Sequence, residues 1–406
     1  MMDAAYTAPP ELDRIKQRAL IVGVVGLALS VVGYFIYHED NHAQFFRSYL
    51  LGYVYWLGIS LGCFAILLIQ HLSGGAWGIV IRRILEAATR TFPLTLILFI
   101  PIAIGLHSLY LWTHTDVVNQ DAVLKSKEGY LNVPFFLIRV VIYFVVWFAI
   151  SYLLNKWSKE QDESSDPVKE KSKMQDLSGP SLVLLGATMT FASIDWLMSL
   201  DPHWASTIFG ILFMGGQALS AMAFIITMIV FLSNYKPMNQ VIAGRHLNDL
   251  GKLMLAFVML WAYFSFSQFL IIWSGNLPEE IPWYINRLHG FWKALAGLII
   301  LFHFVLPFFL LLPRKANKNP RMLVLVAIMV IVMRYIDLYW LIGPQVTHGE
   351  GVHNATFSFS WLDIVAPLGV GGIWLWYFIN ELKKRPLLPI NEPDLEGAIG
   401  EGEGHH

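Results

Sequence analysis

Apolar residues fall along this chain in ten long runs, at 20–37, 48–70, 94–112, 135–154, 181–199, 208–233, 253–273, 289–312, 322–341 and 361–380. Crossing a bilayer core of roughly 30 Å takes about 20 apolar helical residues, so each run is of spanning length. Barrel strands would instead alternate over about ten residues. The pattern predicts an all-α integral membrane protein with ten transmembrane helices. The first run follows Arg14, Lys16 and Arg18, as a signal peptide would. It lacks a small-residue cleavage site before Tyr34-Phe35-Ile36-Tyr37 and reads as a retained helix. The expected organisation is an N-terminal segment at 1–19, a transmembrane domain at 20–380 with a polar linker at 155–180, and a tail at 381–406 rich in Pro, Gly and acidic residues.

Composition agrees with that pattern. The chain is 56% hydrophobic and 14% charged, with a mean hydropathy of +0.55, where soluble domains carry about 25% charged residues. A net charge of −1 offers no basic field for nucleic acid. Cys63 is the one cysteine, which excludes an internal disulfide, a Cys-ligated zinc site and a haem-attachment motif. The distribution of charge says more. The N-terminus, the C-terminus and every second loop together hold 21 Lys/Arg, against four in the opposite loops. This positive-inside bias puts both termini in the cytoplasm.

An internal repeat is expected from motifs four spans apart. The fifth run ends Ile194-Asp195 and, seven residues on, Pro202; the ninth ends Ile336-Asp337 and, seven residues on, Pro344. The third carries His107 five residues before Trp112, and the seventh Gln268 five before Trp273. The fourth and eighth each place one base a few residues inside their outer ends, Arg139 and Lys293. The second and sixth share only small residues, Gly58 and Gly62 against Gly215 and Gly216. A four-span shift preserves direction, so this is a parallel repeat of about 48–199 and 208–341. It gives two four-helix bundles, helices 2–5 and 6–9, flanked by helices 1 and 10.

Charges inside a span are costly and face a bundle interior or a polar path. At 1.5 Å rise per residue, Asp195 and Arg139 reach about the same depth from opposite ends. Asp337 and Lys293 coincide in the same way, and Arg334, three residues before Asp337, is a second partner within reach. These residues are expected to form either structural ion pairs or a proton-carrying or quinone-facing cluster. His107 and His303 differ in depth by about 12 Å or more, too far for both to ligate one haem iron. Each is read as a core histidine or a relay element. The 342–360 loop holds His348, Glu350 and His353, a metal cluster by composition alone, and Asn354-Ala355-Thr356 fits a glycosylation sequon. Histidine-rich loops are more often ordinary surface, so no metal is expected there.

The segment Ser193-Ile-Asp195-Trp-Leu-Met-Ser-Leu-Asp201-Pro-His203-Trp204 resembles the signature of the ActF-type membrane subunit of bacterial alternative complex III. Trp273-Ser-Gly-Asn276-Leu-Pro278-Glu279-Glu280 and the tail Arg385-Pro-Leu-Leu-Pro389-Ile-Asn391-Glu-Pro393-Asp-Leu395 resemble other parts of that family. The ten-helix layout is similar to the wider NrfD/PsrC-like group. The tail departs from the family's D-P-R pattern at Glu392-Pro393-Asp394. The resemblance implies a subunit of a quinol:electron-acceptor oxidoreductase in a bacterial cytoplasmic membrane. This chain would carry no redox centre of its own and could contribute to proton movement. Its partners would be a sister NrfD-like membrane subunit, an iron–sulfur subunit and c-type cytochromes, which would hold the iron–sulfur clusters and haem c. Quinol would be oxidised at the sister subunit. Two rivals stand beside this reading, a quinone-binding NrfD-like subunit and a stand-alone secondary transporter.

Overall fold

The computed structural model describes residues 6–38, 42–345 and 359–400. Among these residues there is no strand, and ten helices are long and apolar enough to cross a membrane. They are α1 (Glu11–Ile36), α2 (Ala43–Ser73), α3 (Ala76–Ile104), α4 (Val133–Glu163), α5 (Pro167–Leu200), α6 (Phe209–Leu232), α7 (Gly244–Gly275), α8 (Gly290–Leu311), α9 (Pro320–Ile342) and α10 (Leu362–Leu382). The loop with His348, Glu350, His353 and the Asn354 sequon lies outside the described residues.

Two boundaries differ from expectation, for one reason: polar side chains satisfied by distant partners. The third helix begins at Ala76 rather than 94, so Arg82, Arg83 and Glu86 lie within it, each about 1% exposed. It pauses at Arg90–Thr91, resumes at Phe92 and ends at Ile104, before His107. The polar 155–180 stretch is helical on both sides of a short turn at 164–166. Asp166 caps the second of these helices by accepting from the Lys169 N–H at 3.3 Å, and Pro167 follows at the first helical position.

The helices α2 and α6 form the centre and are the most deeply buried of the ten. In one half of the molecule α2 packs on α3 and α5, α3 on α4, and α4 on α5. In the other, α6 packs on α7 and α9, α7 on α8, and α8 on α9. The centre is closed by α2 against α6, with α5 leaning on α6 and α9 on α2. The outer faces of α1, α7 and α8 expose large apolar side chains such as Phe35, Phe266 and Phe309, surface suited to lipid.

Packing of α1 along α10 depends on small residues. A Cβ on Gly26 would stand 2.7 Å from Gly369 Cα, so the two backbones touch there. Membrane helices associate by such close packing rather than by hydrophobic transfer. The Gly26→Leu substitution is expected to separate α1 from α10 at a cost of about 1–3 kcal/mol, the usual range for overpacking. A lowered thermal midpoint, with lost cross-linking between cysteines introduced at 22 and 373, would register it.

Candidate functional site

The first buried acid sits where α4 and α5 meet. Arg139 Nε and Nη2 donate to the two Asp195 carboxylate oxygens at 2.8 and 2.9 Å, and the Tyr143 hydroxyl donates to Oδ2 at 2.6 Å. Asp195 is wholly buried. A planar guanidinium matches a carboxylate in this two-pronged way, and charged partners strengthen each bond. Arg139 also donates from Nη1 to the Tyr130 carbonyl at 2.9 Å and stacks 3.8 Å over the Tyr130 ring. Three donors therefore hold this carboxylate.

Beyond Asp195, α4 carries a buried polar stripe. Tyr143, Trp147, Ser151, Asn155 and Ser158 recur at steps of four and three, the spacing of one helix face. Trp147 Nε1 donates to Thr188 Oγ1 at 2.8 Å, Asn155 Nδ2 to Thr89 Oγ1 at 2.9 Å, and Ser158 Oγ to Glu86 Oε1 at 2.5 Å. Fifteen residues at 1.5 Å make the stripe about 22 Å long.

It ends in a charged cluster, of which Arg82, Arg83 and Glu86 fall, by the apolar runs, in the loop before the third span. Arg82 Nε and Arg83 Nη1 donate to Glu86 at 3.0 and 2.7 Å, and Arg385 Nη1 does so at 3.3 Å. Arg83 also meets Asp162 at 2.5 Å. The tail closes the cluster: Glu392 accepts from Arg82 and Lys171, each at 2.7 Å, and Asn391 Nδ2 donates to the carbonyls of Gln161 and Ser164. Outside the spans, burial lowers the proton affinity of Arg385 and Glu86 raises it, with a net downward shift. One signal was available in sequence, two arginines three and four residues before a glutamate in an apolar stretch.

The second buried acid is built differently. Asp337 pairs with Arg334 of its own helix, and Arg334 lies flat on Gly216, where a Cβ would meet Nη1 at 2.2 Å. The expected match of Lys293 to Asp337 is absent. Lys293 is exposed near the start of α8, while Trp292 beside it is buried. Equal depth brought the two residues level without turning them to one face. His303 lies wholly buried in a π-helical turn of α8, Ile300–Val305, edge-on to Trp261 at 4.4 Å between ring centroids. His107 is exposed in the short segment after α3, 3.8 Å from the His114 ring, and is not in the outer part of a span as expected. Among the described residues no group of three His, Cys, Asp or Glu could hold a metal.

The motif at the end of α5 fastens both halves of the molecule. Ser199 Oγ donates to the Asp195 carbonyl at 2.5 Å, and the Tyr110 hydroxyl donates to the Trp196 carbonyl at 3.0 Å. Lys127 Nζ donates to the Pro202 carbonyl at 2.5 Å, and His203 Nε2 lies 2.5 Å from Asp121 Oδ2. That histidine holds the Asp121 carboxyl below its ordinary value. Trp204 stacks on Trp283 at 4.6 Å, and Arg287 covers the other ring system, 3.8 Å from the Trp283 centroid. Burial pulls the Arg287 guanidinium down to about 9, so it stays charged at neutral pH. Compared with known protein families and with curated proteins, the chain matches none.

Proposed function

We propose that this chain is a membrane subunit of a quinol-oxidising respiratory complex of the alternative complex III kind, and that its first helix bundle carries protons while electrons travel through partner subunits. The α4 stripe, from the Asp195–Arg139–Tyr143 site to the Glu86 cluster, is the observation that carries this reading. Trp147 can only donate, so the relay between Tyr143 and Asn155 would run over the Thr188 and Ser151 hydroxyls with intervening water. Charged groups of this kind in a spanning region commonly belong to proton relays.

In this reading helices α2–α5 and α6–α9 are two related bundles, which the matching ring of contacts in each half supports. Both termini lie on the cytoplasmic side of a bacterial inner membrane, supported by the Lys/Arg bias of the loops. The Glu86 cluster is then the cytoplasmic mouth and Asp195 the outer end. The ActF-like segment Ser193–Trp204 supplies the choice of complex, and the partners are those of that resemblance: a sister NrfD-like subunit, an iron–sulfur protein and c-type cytochromes.

The test is a mild-detergent pull-down through a C-terminal tag, with mass spectrometry and reduced-minus-oxidised spectra. Copurification of c-type haem and an iron–sulfur protein is the expected result. A colourless protein purifying alone from respiring cells would overturn the proposal and favour a stand-alone transporter.

A further inference from the structure

The two buried acids occupy matching places in the two halves, and the comparison between them is informative. In the first half α4 turns Arg139 and Tyr143 onto Asp195, and the site is filled. In the second half α8 gives Ala296, Ile299, Ile300 and Phe304 to a wall that Asp337 shares, and none of their side chains has a polar atom. The space left is a cavity of about 710 Å³ lined by parts of α6, α7, α8 and α9, with Asp337 in its wall. Ligand pockets commonly measure 300–1,000 Å³ with few polar groups on an apolar wall.

The wall carries few polar groups. Asp337 takes its ion pair from Arg334, whose Nη2 has no hydrogen-bond partner. Trp261, 4% exposed, sets its indole N–H beside the Asp337 carboxylate without reaching hydrogen-bond geometry. Gln268, 1% exposed, accepts from the Ser206 hydroxyl at 3.3 Å and stands next to Tyr284. A buried N–H left unpaired is costly, so Trp261 marks a place for an acceptor atom and Asp337 a place for a donor. No lysine or arginine lines the cavity, which leaves nothing to hold a phosphate. Apart from Ser265, the rest of the wall is apolar or aromatic, and its mouth runs between Tyr263, Phe266 and Ile300, all highly exposed on the apolar flank.

We infer that this cavity is a binding site for a neutral hydroxylated amphiphile entering from the lipid phase. Its head would donate a hydroxyl hydrogen to Asp337 and accept from Trp261, with its tail lying along α7 and α8. A hydroquinone with an isoprenoid tail and a diacylglycerol share that chemistry. The site needs no partner subunit, so it stands whether or not the chain belongs to a respiratory complex.

The test uses the full chain in phosphatidylcholine nanodiscs and two photoreactive probes, an aryl-azide decyl-hydroquinone and an aryl-azide diacylglycerol. Saturable labelling of peptides within 259–269 or 296–304 by either probe is expected, and the probe that labels identifies the source. Trp261→Phe, which removes the indole N–H offered to the head, should weaken labelling about fivefold, as loss of one hydrogen bond does. Filling the cavity with Ala262→Phe and Ala296→Phe together should abolish it. Trp261→Phe keeps an aromatic ring in the wall and keeps the test sound if the filled variant fails to fold. Labelling that does not saturate, that ignores both variants, or that phosphatidylglycerol displaces as well as the neutral lipids would overturn the assignment.

Discussion

An Asp195→Asn complex should oxidise quinol at close to the normal rate while moving half as many protons per electron or fewer. The amide can still accept from the Tyr143 hydroxyl and from one Arg139 nitrogen, so the bundle keeps its shape at that point. It cannot take up and release a proton, so any route through this position is cut. The substitution also strands the Arg139 guanidinium, and breaking a buried pair from one side commonly costs about 3–5 kcal/mol. Reduced assembly could then be mistaken for reduced pumping. Arg139→Gln combined with Asp195→Asn removes both charges and should restore assembly without restoring proton movement. Reconstituted in liposomes, the complex reports proton release against electrons delivered. An unchanged ratio in a fully assembled Asp195→Asn complex would remove the proton role from this site.

How far these sites could be read from sequence depended on whether depth or facing decides the contact. Arg139 and Asp195 were legible because counting 1.5 Å per residue from opposite ends brings them level, and both then turn inward. The same count brought Lys293 level with Asp337, yet Lys293 turns outward on α8. Depth is a sum over residues; facing depends on how a helix is rotated by its neighbours. The spans were legible wherever apolar runs met lipid or one another. The third was misplaced because Arg82, Arg83 and Glu86 score as polar loop while their charges are cancelled across the fold by Asp162, Glu392 and one another. Hydropathy reads each residue alone, and Glu392 lies some three hundred positions from Arg82 in sequence. His303 shows a third limit: its π-helical turn leaves no mark in the apolar run that contains it.

That cancelled cluster carries the second large effect. The Glu86→Leu substitution should destabilise the protein by about 3–5 kcal/mol, because the removed carboxylate is shared among Arg82, Arg83 and Arg385, with Ser158 hydrogen-bonded to it as well. Arg82 retains Glu392, and Arg83 retains Asp162. Arg385 loses its carboxylate and keeps only the Asn155 carbonyl. The tail is therefore the part expected to detach first. Trypsin should cut after Lys383 or Lys384 in the variant under conditions that leave the native chain intact. Glu86→Gln preserves size and a single acceptor, and its loss should be smaller, which separates the charge from the packing. Because Leu387 and Leu388 are buried in the main core while Leu395 and Ala398 pack with Ile79 of α3, removal of the charge is opposed by apolar contacts. A tail that stays protected in Glu86→Leu would mean those contacts hold it without the ion pairs. A tail that is cut would mean the buried charges, and not the leucines, fasten the C-terminus over the end of the α4 stripe.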